Sequence, residues 1–139
     1  VPQYRKVNHT ETLTNIISGV GDSKSGTAEI RQIFGKDVFT SPKPVALIKY
    51  LLKMLPPKDM LVLDSFAGSG TTAHAVLELN RKHMTRHRFI LVECEDYADE
   101  VTAERVRRVI KGVPGARNRT LREGLGGSFS YFELAGPSK

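Results

Sequence analysis

The sequence holds one cysteine, Cys94, and no tryptophan among 139 residues. A single thiol forms no internal disulfide, which excludes the disulfide-stapled secreted scaffolds and points to a reducing, cytoplasmic setting. No apolar run approaches the ~20 residues that cross a bilayer, and no signal-like segment opens the chain, so no membrane role is expected. Internal repeats and low-complexity tracts are missing too. With 40 % hydrophobic and 26 % charged residues, neither a disordered nor a collagen-like chain fits. One ordinary globular unit remains.

Charge is unevenly distributed. The chain has 21 Lys and Arg against 15 Asp and Glu, a net +6. Between Arg81 and Arg122 there are eleven basic and six acidic residues, so most of the excess lies there. A basic surface suits a polyanion, because neutralised phosphates release condensed counterions. Charge alone fits a solvated face equally well.

Residues 1–24 read as loop with at most one short strand. Thr27–Phe34 is a helix candidate capped by Ser25 or Thr27 and ended by Gly35. Phe39-Thr40-Ser41-Pro42-Lys43-Pro44 is extended, since each residue before a proline is pushed out of the α region. Pro44 then opens a helix whose Leu47, Ile48, Leu51, Leu52 and Leu55 form a broad buried stripe, stopped by Pro56-Pro57. Beyond it the pattern becomes βαβ. Met60–Leu63 and Arg88–Val92 are strands buried on both faces, and Thr71–Asn80 is the helix between them, with Ala73, Val76 and Leu77 inward. Another helix runs from Asp99, its cap, to Lys111, and Gly112 and Pro114 end it. Ser128–Leu134 reads as a last strand.

The chemistry concentrates in Asp64-Ser65-Phe66-Ala67-Gly68-Ser69-Gly70-Thr71-Thr72. A strand delivers a carboxylate, small residues let the backbone approach a ligand, and a helix N-terminus follows with free N–H groups. Glu93 ends the neighbouring strand, where an acid can accept ribose hydroxyls. A P-loop is excluded, because no Gly-Lys-Ser/Thr follows. A dinucleotide site is nearly satisfied by Gly68, Gly70, Ala73 and Glu93. Asp64 tells against it: a carboxylate there repels a pyrophosphate and pairs with an amino group. S-adenosylmethionine has the amino group and the ribose and lacks the phosphate, so charge complementarity prefers it to NAD.

This turn resembles the cofactor motif of the amino-methylating DNA methyltransferases, which act on adenine N6 or cytosine N4. The preceding Phe39–Pro44 segment with Leu47-Ile48 resembles their Lys-Pro motif. Its position before the glycine turn is typical of the permuted β-type order. Arg88–Tyr97, the helix Val101–Ile110 and the ending Gly126–Leu134 look most like the modification subunit of type III restriction-modification systems. The resemblance spans roughly residues 27–134. It implies a partial doubly wound, Rossmann-like α/β fold, about half of the methyltransferase sheet. It also implies S-adenosylmethionine as cofactor and adenine in DNA as methyl acceptor. Phe39, Thr40, Ser41, Lys43, Asp64, Phe66, Ala67, Gly68, Ser69, Gly70, Thr71, Thr72 and Glu93 form the implied cofactor site.

The family's catalytic [DNS]-P-P-[YFW] tetrapeptide has no counterpart here. The only Pro-Pro, Leu55-Pro56-Pro57-Lys58, lacks both the polar residue and the aromatic one. In the β-type order that motif lies before the Lys-Pro segment, so the chain is expected to be the C-terminal, cofactor-binding part of a longer enzyme and inactive alone. Residues 1–38 would be an N-terminal extension and 39–139 the cofactor-binding subdomain. Expected partners are DNA through the complete enzyme, a restriction subunit, and a second copy through an unpaired sheet edge. The alternatives are an NAD-binding oxidoreductase domain and a non-catalytic DNA-binding module. Cys94 reads as a small buried hydrophobe, His83 and His87 lack a third metal ligand, Tyr97 reads equally as flanking an adenine or as boundary packing, and Arg105, Arg107 and Arg108 read as a solvated helix face before a phosphate contact.

Overall fold

The computed structural model describes residues 16–55 and 58–134. The expected Pro56-Pro57 stop therefore lies outside the described residues, as does the first part of the N-terminal segment; no strand occurs over residues 16–24. Helix α1 (Ser23–Phe34) begins four residues before the expected Thr27. Its cap is Asp22, whose carboxylate accepts the Ser25 N–H at 2.9 Å while the Ser25 hydroxyl accepts the Asp22 N–H at 3.3 Å. Serine thus fills the reciprocal role that Glu or Gln usually takes in a capping box.

Helix α2 (Val45–Lys53) follows Pro44, which sits one position ahead of the first helical residue. Its buried stripe is narrower than expected. Val45 and Leu52 are buried, whereas Leu51 and Leu55 stand exposed.

The βαβ unit forms as the pattern predicts. Strands β1 (Leu61–Asp64) and β2 (Arg88–Leu91) are parallel, with Leu61 opposite Arg88 and Asp64 opposite Leu91. Helix α3 (Thr71–His83) connects them. Val62 and Phe89 pack inward against the cluster of Val45, Leu52, Ala75, Val76 and Leu79. The expectation of strands buried on both faces is corrected, since Leu61, Leu63 and Ile90 are roughly half exposed or more. Helices cover one face of this two-stranded sheet, and nothing among the described residues covers the other.

Because the sheet is so small, α3 takes the central place. Residues 71–77 and Leu79 are all buried, and apolar clusters lie on two sides of the helix. The second cluster joins Ile33 of α1, Ala73 and Leu77 to Val106, Val109, Ala116, Leu121 and Leu125. Small residues at 71–73 and 75 let neighbouring backbones close in.

The expected helix over 99–111 is two pieces, a π-helical turn Asp99–Ala103 and α4 (Glu104–Lys111), and a 3-10 turn Asp96–Ala98 precedes them. Asp99 does not cap it. Its carboxylate instead receives Arg107 Nη2 at 2.6 Å. A short helix α5 (Arg119–Glu123) had no clear pattern in the sequence; the Asn118 side chain caps it by accepting the Leu121 N–H at 3.1 Å. The expected strand over 128–134 is absent: this stretch is irregular. The Leu125 N–H donates to the Val109 carbonyl at 2.8 Å and the Phe129 ring packs on the core, while Phe132 and Leu134 remain exposed. A β-prone sequence becomes a strand only when an edge accepts it, and here none does. Among the described residues no helix is long and apolar enough to cross a membrane.

Candidate functional site

The carboxyl ends of β1 and β2 place two carboxylates beside one turn. Asp64 closes β1 on its helix-covered face. Its Oδ1 accepts the Phe66 N–H at 3.1 Å and its Oδ2 accepts the Thr72 hydroxyl at 2.5 Å, so the carboxylate ties the start of the turn to the start of α3. Glu93, just past β2, accepts the Gly68 N–H at 2.7 Å through Oε2 and the N–H groups of Cys94 and Glu95 at 2.9 and 3.2 Å through Oε1. The Ala67 N–H adds a bond to the Val92 carbonyl at 3.0 Å. The middle of the turn, Ala67 and Gly68, is thereby fixed to the residues that follow β2.

Gly68 and Gly70 adopt φ of +52° and +77°. At Gly70 a Cβ would stand 2.9 Å from the Thr102 carbonyl oxygen. The π-helical turn thus packs directly on the glycine backbone, and the Thr102 hydroxyl donates to the Gly68 carbonyl. At Gly68 a Cβ would come within 3.2 Å of the Phe39 ring. That ring meets Tyr97 edge-on at 5.3 Å between centroids. An open cavity of about 500 Å³, lined by Asp37, Val38, Phe39, Thr40 and Tyr97, lies next to this pair. Partial desolvation, followed by the Glu93 charge, holds the Tyr97 phenol above its ordinary range.

The structure brings Phe39, Asp64, Gly68, Gly70, Thr72 and Glu93 together. Thr40, Ser41 and Lys43 are exposed, and Lys43 is joined to the turn through its carbonyl, which accepts the Thr71 hydroxyl at 3.1 Å. Ala67 is buried. The hydroxyls of Ser69 and Thr71 point at each other, 3.2 Å apart, and both accept from Arg105. Phe66 does not pack in the core; it is 87 % exposed.

Two further expectations are corrected. Cys94 is exposed, because it follows Glu93 out of the sheet. The Arg105, Arg107 and Arg108 cluster is a solvated face only in part, through Arg107 and Arg108. Arg105 is wholly buried, Arg107 pairs with Asp99 and lies over the Tyr131 ring, and Arg108 pairs with Glu104 and lies over the Phe34 ring. Sequence reasoning missed Thr102 and Arg105. The signal was present: Val101, Arg105 and Val109 are spaced by four, which puts the arginine on the apolar stripe.

Comparisons with known proteins match the part of the chain that holds the glycine turn. A family model for DNA methylases, the N6/N4 methyltransferases, covers residues 3–104. The chain belongs to this family. Over its full length it is 35 % identical to the Mod subunit of the type III restriction-modification enzyme StyLTI of Salmonella typhimurium, matching 24 % of that protein. Over 64 % of its length it is 37 % identical to the EcoPI Mod subunit of Escherichia phage P1, matching 16 % of it. The type II methyltransferase M.KpnI of Klebsiella pneumoniae is 42 % identical over 71 residues, 51 % of the chain and 17 % of that enzyme. The chain therefore spans about a quarter or less of each of these relatives. This DNA methylase chain is an α/β unit with a small parallel sheet.

Proposed function

We propose that this DNA methylase chain holds S-adenosylmethionine for methyl transfer to adenine N6 in DNA, as the cofactor-binding part of a modification subunit of the type III kind. The paired carboxylates carry the reading. A carboxylate offers about four acceptor positions. Asp64 uses two of them within the protein and Glu93 three. Asp64 thus keeps room for an ammonium group and Glu93 for a ribose hydroxyl. The Asp64 carboxylate at the mouth of the turn opposes a pyrophosphate, which disfavours the dinucleotide alternative.

The residues present fit the cofactor. Gly68 and Gly70 leave the backbone bare, and the N–H groups at the start of α3 offer donors to the methionine carboxylate. Phe39 and Tyr97 line the cavity that suits the adenine. When bound, the cofactor supplies an electrophilic methyl on its sulfonium. This chain's own part is to bind and orient, which lowers the barrier by proximity. In this reading the complete enzyme supplies the residues that hold the flipped base, and DNA and a restriction subunit are its partners. The sheet would be a portion of a larger doubly wound one, and the protein would work in the cytoplasm.

Titration calorimetry with S-adenosylhomocysteine and, separately, NAD tests the reading. We expect binding of the first and none of the second. Asp64→Asn should weaken S-adenosylhomocysteine by about tenfold or more, the scale of a lost charge-assisted bond, with the fold retained. Binding of NAD alone would overturn the assignment.

A further inference from the structure

Arg105 has no part in the cofactor chemistry outlined above, yet it is fully buried at the centre of a polar cluster. Its Nη1 donates to Thr71 Oγ1 at 2.9 Å, to Ser69 Oγ at 3.0 Å and to the Ser69 carbonyl at 3.4 Å. Its Nη2 meets His74 Nδ1 at 3.2 Å and Glu29 Oε2 at 3.4 Å. Glu29, reaching over from α1, also accepts the Val45 N–H at 3.1 and 3.2 Å through its two oxygens. Val45 directly follows Lys43-Pro44.

Two routes therefore lead from one guanidinium to the Lys-Pro segment. One passes through the Thr71 hydroxyl to the Lys43 carbonyl. The other passes through the Glu29 carboxylate to the Val45 N–H. Helix α1 presses on the same segment from another side, where a Cβ at Gly26 would collide with the Pro42 carbonyl oxygen. Burial draws the Arg105 guanidinium down only to about 10, so it remains charged at neutral pH. A buried charge of this kind costs several kcal/mol unless well partnered, and valines occupy the neighbouring stripe positions 101 and 109. An apolar side chain would fill the space, but only a forked donor reaches both the turn and Glu29.

We infer that Arg105 is a positioning residue: it sets the glycine turn and the Lys43-Pro44 segment in one fixed register, so that the two halves of the cofactor site move as a unit. The inference rests on the proposed reading that both segments hold S-adenosylmethionine. A ligand that touches both segments feels an error in either, even though Arg105 touches no part of it.

The test uses the whole chain. Glu29→Gln keeps an oxygen for the Val45 N–H and removes the anion facing Arg105. Thr71→Val cuts the other route, and Thr71→Ser restores it. In amide nitrogen–proton spectra without ligand, Glu29→Gln should shift Val45 and, through Arg105, Ser69 to Thr72, which Glu29 does not touch. By calorimetry, Glu29→Gln, at a residue outside the cofactor site, should weaken S-adenosylhomocysteine about tenfold, a common size for coupling between linked sites. In the ligand-free spectra Thr71→Val should shift the Lys43 and Val45 amides and Thr71→Ser should leave them in place, and all variants should melt within a few degrees of wild type. Glu29→Gln shifts confined to residues 25–45 would overturn the inference. So would a Thr71→Ser variant whose Lys43 and Val45 amides move as far as those of Thr71→Val, or affinity lost only in step with the unfolded fraction. If the wild type binds no S-adenosylhomocysteine, the cofactor reading fails, and the ligand-free spectra still decide the role of Arg105.

Discussion

The Gly68 N–H donates to Oε2 of Glu93 at 2.7 Å, so a side chain from the end of β2 fixes the first glycine of the turn that leaves β1. Glu93 is thus a structural residue as well as a candidate ribose acceptor. Hydrogen bonds to a charged group each contribute about 1.5–3 kcal/mol, less where solvent competes. Glu93→Ala should lower the unfolding free energy by about 2 kcal/mol, and Glu93→Gln, which keeps one acceptor oxygen, by less. Urea denaturation of the two variants checks this ordering. Equal stability of Glu93→Ala and wild type would mean that the turn holds itself.

Gly70 and Gly35 separate two costs of adding a side chain. Their φ values are nearly the same, +77° and +76°. A Cβ at Gly35 meets nothing within 4 Å, whereas at Gly70 it meets the Thr102 carbonyl oxygen at 2.9 Å. Gly35→Ala should cost about 1 kcal/mol, the left-handed penalty alone. Gly70→Ala adds displacement of the π-helical turn and should cost at least about 1–3 kcal/mol more, the usual size of an overpacking penalty. Denaturant midpoints for both proteins measure the difference, and equal losses would show that the turn yields freely.

The βαβ unit and the glycine turn were legible because their signals are local. An apolar run, an acid, two glycines and a helix stripe each act within a few residues. The solvent-facing side of the sheet was not legible, since Leu61 and Leu63 look the same in sequence whether or not a partner covers them. The tail failed for a related reason: Phe129 to Leu134 has strand chemistry but finds no edge. Arg105 failed because charge was weighed by count rather than by position on the helix. Among site residues, the carboxylates and glycines were readable from spacing. Only the fold shows the hydroxyls of Ser69 and Thr71 turned toward Arg105.

The open sheet face predicts an asymmetry in mutational cost. Leu63 is 65 % exposed and Leu79 is 3 % exposed. Leu79→Ala should cost about 2–5 kcal/mol, as buried leucine truncations do. Leu63→Lys should change stability by no more than about 0.5 kcal/mol, as surface substitutions generally do. Combined with Ile90→Lys, it should also suppress concentration-dependent light scattering, since adjacent exposed Leu61, Leu63 and Ile90 form an apolar patch. Unchanged scattering would indicate that association runs through another surface.

His74 gives the fold a defined weakness in acid. The ring is buried, with Nδ1 3.2 Å from Arg105 Nη2 and Nε2 3.3 Å from Glu78 Oε1. Burial holds its pKa below the ordinary 6.5, and the Arg105 charge adds to that, against an opposing pull from Glu78. A folded imidazole that stays neutral while the unfolded one takes a proton means stability is lost as pH falls below about 6.5, by up to ~1.4 kcal/mol per pH unit. Glu29 acts in the opposite sense, because burial raises its carboxyl and the folded state takes up that proton first. Glu78 enters only lower: burial opposes its ionisation, but His74 and Lys49 beside it hold it down to about 2, so its contribution fades between 4.5 and 2. Comparing wild type with His74→Gln between pH 5 and 7 isolates the histidine. The unfolding free energy of wild type should fall more steeply with acid than that of the variant over this window. Parallel curves would mean that His74 is protonated in the fold and that its contact with Arg105 is not the one described.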